Sequence, residues 1–421
     1  MVDRYLKRIL DSEIKEYLDS MGAILIEGPK WCGKTRTSKE FAKSILSIAD
    51  PNQIKSIKLA TENGLYNFLD GDTPLLIDEW QDVPEIWNAV RFEVDRRGKK
   101  GQFILTGSSV PPAEPTRHSG AGRIARVTMR PMSLFESGES DGKISLSGLF
   151  EPDGNFAGYS KLTIDGLALA LTRGGWPGSL DDAPTQASRT ASQYLKAVTN
   201  SDLSRVDGIN KNPKIVSRIV ASIARNISTY ASMETIRRDV NGDEGNMADD
   251  TLKNYIAAME RIFLVENLPA WNPHTRSRTK LVTTPKWHFT DPSIATSALG
   301  KTKDALLSDY ETFGPLFESL CVRDLRAYCE PMDGYVSFFR NKNGFEVDLI
   351  AERPDGRWGA IEVKLGGPEI DTAAKNLLKL KDMVDPDFMR PPSFLMVLTA
   401  GQFGYKRPDG VLVVPIGCLR D

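Results

Sequence analysis

A glycine-rich segment near the start of the chain constrains the fold more than any other feature. Residues 28–35 read Gly-Pro-Lys-Trp-Cys-Gly-Lys-Thr and fit the pattern G-x-x-x-x-G-K-[ST]. An apolar run at residues 23–26 precedes the segment, and a stretch with helical spacing at residues 37–46 follows it. This order of strand, loop and helix predicts a loop whose backbone N–H groups bind phosphate at the positive end of the helix.

We assign nucleotide binding to this loop and to a few residues beyond it. Lys34 is expected to reach the β- and γ-phosphates, and Thr35 to ligate Mg²⁺. Because the Cys32 thiol would then lie beside the phosphates, we also expect the site to be sensitive to alkylation. The predicted nucleotide-binding residues are Gly28, Pro29, Lys30, Trp31, Cys32, Gly33, Lys34, Thr35, Arg36, Asp78 and Ser108.

Two carboxylates at the end of a second apolar run complete the predicted site. Asp78 and Glu79 follow the run at residues 75–77, as in a Walker B element. Asp78 is expected to hold Mg²⁺, directly or through water, while Glu79 polarises the attacking water. Lys34 and Glu79 are therefore the predicted catalytic residues. No N-K-x-D or T-K-x-D guanine-reading element follows the last strand, which favours ATP over GTP.

The next predicted strand and the basic segment after it offer further polar side chains. The strand ends in Thr106-Gly107-Ser108-Ser109, where Ser108 is placed as a sensor of the γ-phosphate and Ser109 is either a sensor or a turn residue. Arg123, Arg126 and Arg130 follow. One of them acts as an arginine finger, or all three are solvated. A finger acting in trans would require a homo-oligomer.

Composition excludes several classes of protein. A formal net charge of −2 gives no whole-molecule attraction for nucleic acid, so any nucleic-acid surface must be a local patch. The four cysteines form no C-x-x-C pair, and the three histidines are far apart, which argues against a disulfide framework, a zinc site or a His-based triad. Residues 1–20 have no signal-peptide core, and no run reaches membrane-spanning length. We predict a cytoplasmic protein with no membrane partner.

The middle of the chain is predicted to be mostly helical. Helical stretches at residues 215–228, 232–240 and 248–261 precede a short apolar run and a basic segment at residues 274–280, an order typical of a winged helix. In one interpretation the helix at residues 251–259 enters a DNA groove while Arg276, Arg278 and Lys280 bind phosphates. In the other, the module packs between domains and its basic loop is solvated.

Motifs in the first third of the chain resemble a known family of ATPases, and the resemblance extends over nearly the whole chain. Together with the loop and the Asp78-Glu79 pair, residues 80–84 and 103–109, Gly122-Arg123-Ile124 and residues 130–136 are similar to the AAA-type ATPases of bacteria and archaea, and in particular to a subgroup that fuses an N-terminal ATPase to a C-terminal domain of unknown function. The resemblance implies a five-stranded parallel sheet. Many AAA+ proteins carry Asn at the sensor, so the Thr-Gly-Ser-Ser end of this strand is a departure from the family pattern.

Acidic and basic residues on two predicted strands of the last third form a second chemical signal. Asp348 lies near the end of one strand, and alternation places Glu362 and Lys364 on one face of the next. This set resembles the PD-(D/E)xK nuclease core, in which the carboxylates would hold Mg²⁺ and the lysine would orient water. Glu318 matches an additional acidic position of that fold. The set is either a metal-dependent nuclease centre or a structural cluster in a binding or assembly module.

The predicted fold is therefore a multidomain α/β protein with ATP and Mg²⁺ as cofactors. Parallel strands are expected at residues 23–26, 74–77, 102–105 and 124–129, with a weaker one at residues 54–59. The predicted organisation is a P-loop AAA+-like parallel-sheet domain at residues 1–137, a linker at 138–160, a helical and winged-helix-like domain at 161–300, and a restriction-endonuclease-like α/β domain at 301–421. Nucleic acid is a candidate partner.

Overall fold

The computed structural model describes residues 5–48, 50–60, 65–109, 120–205, 208–241, 247–271 and 284–421. The described chain forms two compact units. The first comprises Met1–Pro131, Ser201–Lys211 and Ile256–Leu264, and the second comprises Met132–Asn200, Asn212–Tyr255 and Val265–Asp421. No helix in the described part of the chain is long and apolar enough to cross a membrane.

The strands within the described ranges, in chain order, are β1 (Ala23–Glu27), β2 (Ser44–Ser47), β3 (Leu75–Asp78), β4 (Phe103–Gly107), β5 (Ile124–Thr128), β6 (Ile144–Ser145), β7 (Gly158–Tyr159), β8 (Tyr335–Arg340), β9 (Glu346–Glu352), β10 (Trp358–Lys364), β11 (Phe394–Thr399), β12 (Phe403–Lys406), β13 (Leu412–Pro415) and β14 (Leu419–Arg420).

The helices of the same ranges are α1 (Asp11–Ser20), α2 (Lys34–Phe41), α3 (Pro51–Ala60), α4 (Ile86–Arg97), α5 (Leu146–Leu149), α6 (Ile164–Arg173), α7 (Pro184–Ala197), α8 (Leu203–Arg205), α9 (Pro213–Arg225), α10 (Met233–Asn241), α11 (Asp249–Arg261), α12 (Pro292–Ala298), α13 (Lys303–Leu307), α14 (Tyr310–Cys329) and α15 (Ile370–Met383).

The first unit is built on a parallel sheet in the order β2-β3-β4-β1-β5. Successive residues of β3 point to opposite sides and are buried on both, since Leu75 and Ile77 join one core cluster and Leu76 the other. Burial on both faces explains the continuous apolar runs in the sequence. The carboxyl ends of β1, β3 and β4 meet at one edge of the sheet, where ligands bind in such folds.

The predicted parallel strands of this unit are confirmed except one, and one strand of the sheet was not predicted. Residues 54–59, expected to be a weak strand, belong to α3, because Ile54 and Ile57 are three apart and lie on one face of a helix. The second strand of the sheet is instead β2, in a stretch predicted to end a helix. Only Leu46 of β2 is buried, so this edge strand has no apolar run to reveal it.

The second unit contains a mixed sheet in the order β7-β12-β13-β11-β10-β9-β8. Strands β8, β9 and β10 pair antiparallel, and β10 pairs parallel with β11. Ala373, Ala374, Leu377 and Leu380 of α15 pack on the sheet residues around Trp358. The two predicted strands that carry Asp348 and the pair Glu362 and Lys364 are confirmed as β9 and β10.

Residues 138–160 differ from the predicted linker. They contain β6, α5 and β7, of which β6 pairs with β14 and β7 with β12. Leu146 and Leu149 are buried, and the Phe150 ring meets the Phe394 ring edge to face at 5.1 Å. Glycine, serine and proline in this stretch mark its turns, while the apolar residues between them fill the core of the second unit.

Candidate functional site

The phosphate-binding loop leaves β1 and leads directly into α2. Gly28 lies against the backbone of Met129, because a Cβ built on it would stand 2.1 Å from the Met129 carbonyl oxygen. Gly33 has a φ of 105° in the left-handed region, which glycine adopts at little cost, and it forms the N-cap of α2. These two glycines give the loop the shape that turns N–H groups toward an anion at the helix N-terminus.

The Lys34 side chain is buried inside the loop. Its Nζ donates hydrogen bonds to the carbonyl oxygens of Gly28 at 2.9 Å and of Pro29 at 2.7 Å. The ammonium is therefore held within the loop by the carbonyl oxygens of its first two residues.

Thr35 and Asp78 meet across the loop. The Thr35 hydroxyl donates to Asp78 Oδ1 at 2.8 Å, and the Thr106 hydroxyl donates to the same oxygen at 2.6 Å. Hydroxyl and carboxylate oxygens are the ligands that Mg²⁺ prefers, so this donor set fits a magnesium ion bound at Thr35 and Asp78.

Glu79 follows Asp78 and is held in a left-handed backbone conformation, with a φ of 59°. Its N–H donates to Thr106 Oγ1 at 3.2 Å. Its Oε2 accepts a hydrogen bond of 3.1 Å from the Ser108 hydroxyl and another from Gln81 Nε2. The predicted base and the predicted sensor therefore touch each other at the carboxyl edge of the sheet.

The variable residues of the loop point in different directions. Lys30 forms an ion pair of 2.7 Å with Asp202, which returns to the first unit from the middle of the chain. Trp31 is 54% exposed, and its backbone φ of 66° lies in the left-handed region. Cys32 is fully buried, so the expected sensitivity to alkylation does not follow from this structure. Arg36 pairs with Glu40 on α2.

Sequence reasoning missed Thr106, Gln81, Asp202 and Arg8. The buried Arg8 guanidinium donates to the Cys32 carbonyl and to the Arg130 carbonyl, each at 2.8 Å. Thr106 and Gln81 lie within the motifs already recognised. Their closeness in sequence to Ser108 and Asp78 was therefore a usable signal. For Asp202 and Arg8 no local pattern points to the loop.

The three candidate finger arginines have different surroundings. Arg123 binds Asp95 at 2.9 Å and the Ala121 carbonyl at 3.2 Å. Arg126 lies 3.5 Å from Glu27 and stacks on the Trp87 ring. Burial raises the pKa of Glu27, and Arg126 opposes that shift. The assignment among Arg123, Arg126 and Arg130 stays a prediction.

The second predicted constellation also comes together, on β9 and β10. Lys364 Nζ lies 2.8 Å from Glu362 Oε2 and 3.1 Å from Asp348 Oδ2, and the Val363 N–H donates to the same Asp348 oxygen at 2.8 Å. Burial and the neighbouring Asp348 raise the pKa of Glu362, with Lys364 opposing. Burial also favours protonated Asp348, but Lys364, Lys286 and the Val363 N–H outweigh it and lower the pKa of Asp348.

A second lysine, buried and absent from the sequence prediction, joins the same region. Lys286 Nζ lies 2.6 Å from Glu346 Oε1 and 2.9 Å from Glu318 Oε1, and its side chain is almost fully buried. Burial would lower the pKa of Lys286, but Glu318, Asp348 and Glu346 raise it above its ordinary value. This lysine lies outside any local motif, so sequence spacing gave no signal for it.

The predicted metal site at Asp348 and Glu362 does not fit these contacts. Both carboxylates already bind the Lys364 ammonium, and Lys286 holds Glu318. Across the ranges described above, no group of three or more His, Cys, Asp or Glu side chains is arranged to hold a metal ion. The ammonium groups of Lys364 and Lys286 thus lie against the carboxylates that the nuclease resemblance implies.

The middle region gives no support to the predicted DNA contact. The exposed residues of α11 include Asp249 and Asp250 together with Lys253, which itself lies 3.4 Å from Asp250. Acidic residues at this end would repel DNA phosphates. The basic segment with His274, Arg276, Arg278 and Lys280 lies outside the described residues.

Comparison with known families assigns the first unit. Residues 20–137 match the family described as "AAA domain". Residues 164–305 and 313–419 match two families described as domains of unknown function, DUF8612 and DUF4143. Together with the loop geometry, the first match identifies an AAA-type P-loop ATPase domain in this part of the chain.

Relatives over most of the chain and similar solved structures were also found. The uncharacterized proteins Rv2008c of Mycobacterium tuberculosis and Mb2031c of Mycobacterium bovis are each 22% identical over 413 residues, which cover 97% of this chain and 83% of theirs. A Walker-type ATPase of Pyrococcus abyssi is 15% identical with a TM-score of 0.44, covering 71% of this chain and 97% of its own. A signal-transduction ATPase of the STAND class from Pyrococcus horikoshii is 12% identical with a TM-score of 0.23, covering 78% and 50%.

Proposed function

We propose that the AAA-type domain binds ATP with Mg²⁺ and hydrolyses it, and that its nucleotide state controls the second unit. One observation carries this proposal. Lys34, Thr35, Asp78 and Glu79 lie together at the carboxyl edge of a parallel sheet, where the loop, a hydroxyl, and two carboxylates with separate partners converge. The absence of a guanine-reading element in the sequence supports ATP as the nucleotide.

Each residue has a distinct chemical role in this proposal. The N–H groups of residues 28–35 and the Lys34 ammonium bind phosphate oxygens. Mg²⁺, when bound by Thr35 and Asp78, neutralises charge on those oxygens. Glu79 accepts a proton from water; the water oxygen bonds to the γ-phosphorus while the bond from this phosphorus to the bridging oxygen breaks, leaving ADP and phosphate.

Contacts inside the first unit support the proposed coupling. Arg8 connects the loop, through the Cys32 carbonyl, to the Arg130 carbonyl at the end of the unit. A movement of the loop on nucleotide binding would therefore displace Arg130. The chain passes into the second unit just after this residue.

Steady-state phosphate release tests the ATPase proposal. We expect wild-type protein to turn over ATP in the presence of Mg²⁺, and Lys34→Ala and Glu79→Gln to be slower by at least about 100-fold, because each loses a group that acts on the transition state. Wild-type turnover no faster than that of the two variants would remove the proposal.

For the second unit we propose a binding or assembly module built on a nuclease-like core. The succession α14, β8, β9, β10, α15 and β11 supports the likeness to that core, as does the contact between Asp348, Glu362 and Lys364. The lysine contacts described above favour a structural cluster over a cleaving centre.

Incubation with plasmid and single-stranded substrates in Mg²⁺ or Mn²⁺ tests this second proposal. We expect the substrates to stay intact, because the carboxylates are bound to lysines. Asp348→Ala is the control variant. Cleavage by wild-type protein that Asp348→Ala abolishes would show that the centre is a nuclease.

A further inference from the structure

Gln81 lies two residues after the proposed base, in the single helical turn Trp80–Asp82. Its Nε2 donates to Glu79 Oε2, and it also lies 3.4 Å from Ser108 Oγ. Ser108 Oγ in turn donates to the same Glu79 oxygen at 3.1 Å. An amide and a hydroxyl, from two different segments of the chain, therefore converge on one oxygen of Glu79.

The second oxygen of Glu79 has different surroundings. Among the residues that the structure describes, none donates a hydrogen bond to Glu79 Oε1. A carboxylate with one oxygen bound and the other open presents the open oxygen to a water molecule. The two donors on Oε2 thus decide where Oε1 points.

The backbone of Glu79 is fixed independently of these donors. Its N–H binds Thr106 Oγ1 at 3.2 Å, and the Asp82 N–H donates to its carbonyl oxygen at 3.1 Å. With the main chain held at both groups, loss of Gln81 would change the direction of the Glu79 side chain and leave the turn in place.

Packing fixes the orientation of the Gln81 amide. A Cβ built on Gly107 would stand 3.1 Å from Gln81 Oε1, so this end of the amide lies against the end of β4. Oε1 is buried and has no hydrogen-bond donor within the described ranges. The NH₂ end must face Glu79, because a carbonyl oxygen there would repel the carboxylate.

We infer that Gln81 is a positioning residue for ATP hydrolysis: with Ser108 it holds Glu79 Oε2, so that Glu79 Oε1 receives the proton of the attacking water. The inference rests on the proposed ATPase function and adds a residue to it. Gln81 touches neither phosphate nor metal in this role and acts only through Glu79.

Kinetics of Gln81→Met provide the test, since methionine has a similar length and shape but no N–H donor. We expect kcat to fall roughly tenfold to 100-fold, part of what a general base contributes, with KM and the ATP dissociation constant within about twofold of wild type. Glu85→Gln, at an exposed position just after this turn with no side-chain capping bond, is the control and should turn over ATP at the wild-type rate.

The same substitution in a Glu79→Gln protein separates a positioning role of Gln81 from a general effect on stability. Residues that act as a unit have non-additive effects, so Gln81→Met should cause no further loss of kcat in a Glu79→Gln protein. Gly107→Ala perturbs the same turn from β4, because its methyl group would stand 3.0 Å from Trp80 Nε1 and 3.1 Å from Gln81 Oε1. It should lower kcat while ATP affinity is kept, and adding Gln81→Met to it should change little.

Three results would overturn the inference. They are a kcat of Gln81→Met within about twofold of wild type, a rise in KM with kcat unchanged, or an equal loss of kcat in the Glu79→Gln background. In each case wild-type protein still hydrolyses ATP, so the ATPase proposal survives. A wild-type protein that binds ATP without turnover would instead contradict the ATPase proposal, and the role of Gln81 with it.

Discussion

Gly28 shows how strictly the loop depends on single residues. The Met129 carbonyl oxygen stands where the β-carbon of any larger residue would lie. We expect Gly28→Ala to lower the free energy of unfolding by about 1–3 kcal/mol, because β1 and β5 must separate, and to weaken ATP binding. Gly178→Ala is the control, since no heavy atom lies within 4 Å of the place that its methyl group would take. Equal urea midpoints for the two variants would contradict this account.

The residues of the loop also show what a motif predicts and what it leaves open. The pattern predicted that Lys34 and Thr35 would face the phosphate position, since their roles depend on backbone geometry that the glycines fix. It did not predict that Trp31 is largely exposed while Cys32 is buried. These directions depend on packing against other segments, such as the contact of Arg8 with the Cys32 carbonyl.

At the scale of elements, the long apolar runs were predictable, and the strands with few buried residues were not. Strands β1, β3 and β4 are buried on both faces and therefore read as continuous apolar runs. In contrast, β12 exposes Phe403 and Tyr405, and β2 buries only Leu46. These two strands are held by backbone hydrogen bonds, which do not depend on side-chain type and give no sequence pattern. For this reason β2 and β12 were not predicted and appear only in the structure.

The segment around His288 carries a prediction on pH. His288 is fully buried, and its Nδ1 lies 3.2 Å from Ser319 Oγ on α14. Burial, together with the positive charges of Arg326 and Lys286, holds the pKa of His288 well below its ordinary value. The folded protein thus keeps this histidine neutral at a pH where the unfolded chain, with a pKa of about 6.5, binds a proton.

Stability should therefore be complete above about pH 6.5 and fall as the pH decreases through and below that value. We expect a loss of up to about 1.4 kcal/mol for each pH unit while His288 stays neutral in the folded state. His288→Gln removes the titrating group and should flatten this part of the profile. Urea unfolding between about pH 5.5 and about pH 7.5 measures it. Parallel profiles for wild type and variant would show that His288 has no part in it.

At the scale of the whole molecule, the ATPase unit is not a simple N-terminal segment. Residues 201–211 and 256–264 return to the first unit, and Asp202 among them binds Lys30 of the loop. Sequence patterns suggested one boundary after residue 137, because composition changes there, but they carry no information on a later return of the chain. The two mycobacterial relatives match 97% of the chain, so their similarity extends beyond the AAA domain into the regions that follow it.

The identity of the nucleotide left on the protein tests the central claim most directly. Wild type, Glu79→Gln and Lys34→Ala are each incubated with ATP and Mg²⁺, separated from free nucleotide, and the bound nucleotide is analysed by chromatography. We predict ADP on wild type, unhydrolysed ATP on Glu79→Gln, and little nucleotide on Lys34→Ala, because binding depends on the loop and cleavage on the base. ADP on Glu79→Gln in the same amount as on wild type, or intact ATP on wild type after long incubation, would contradict ATP hydrolysis at this site.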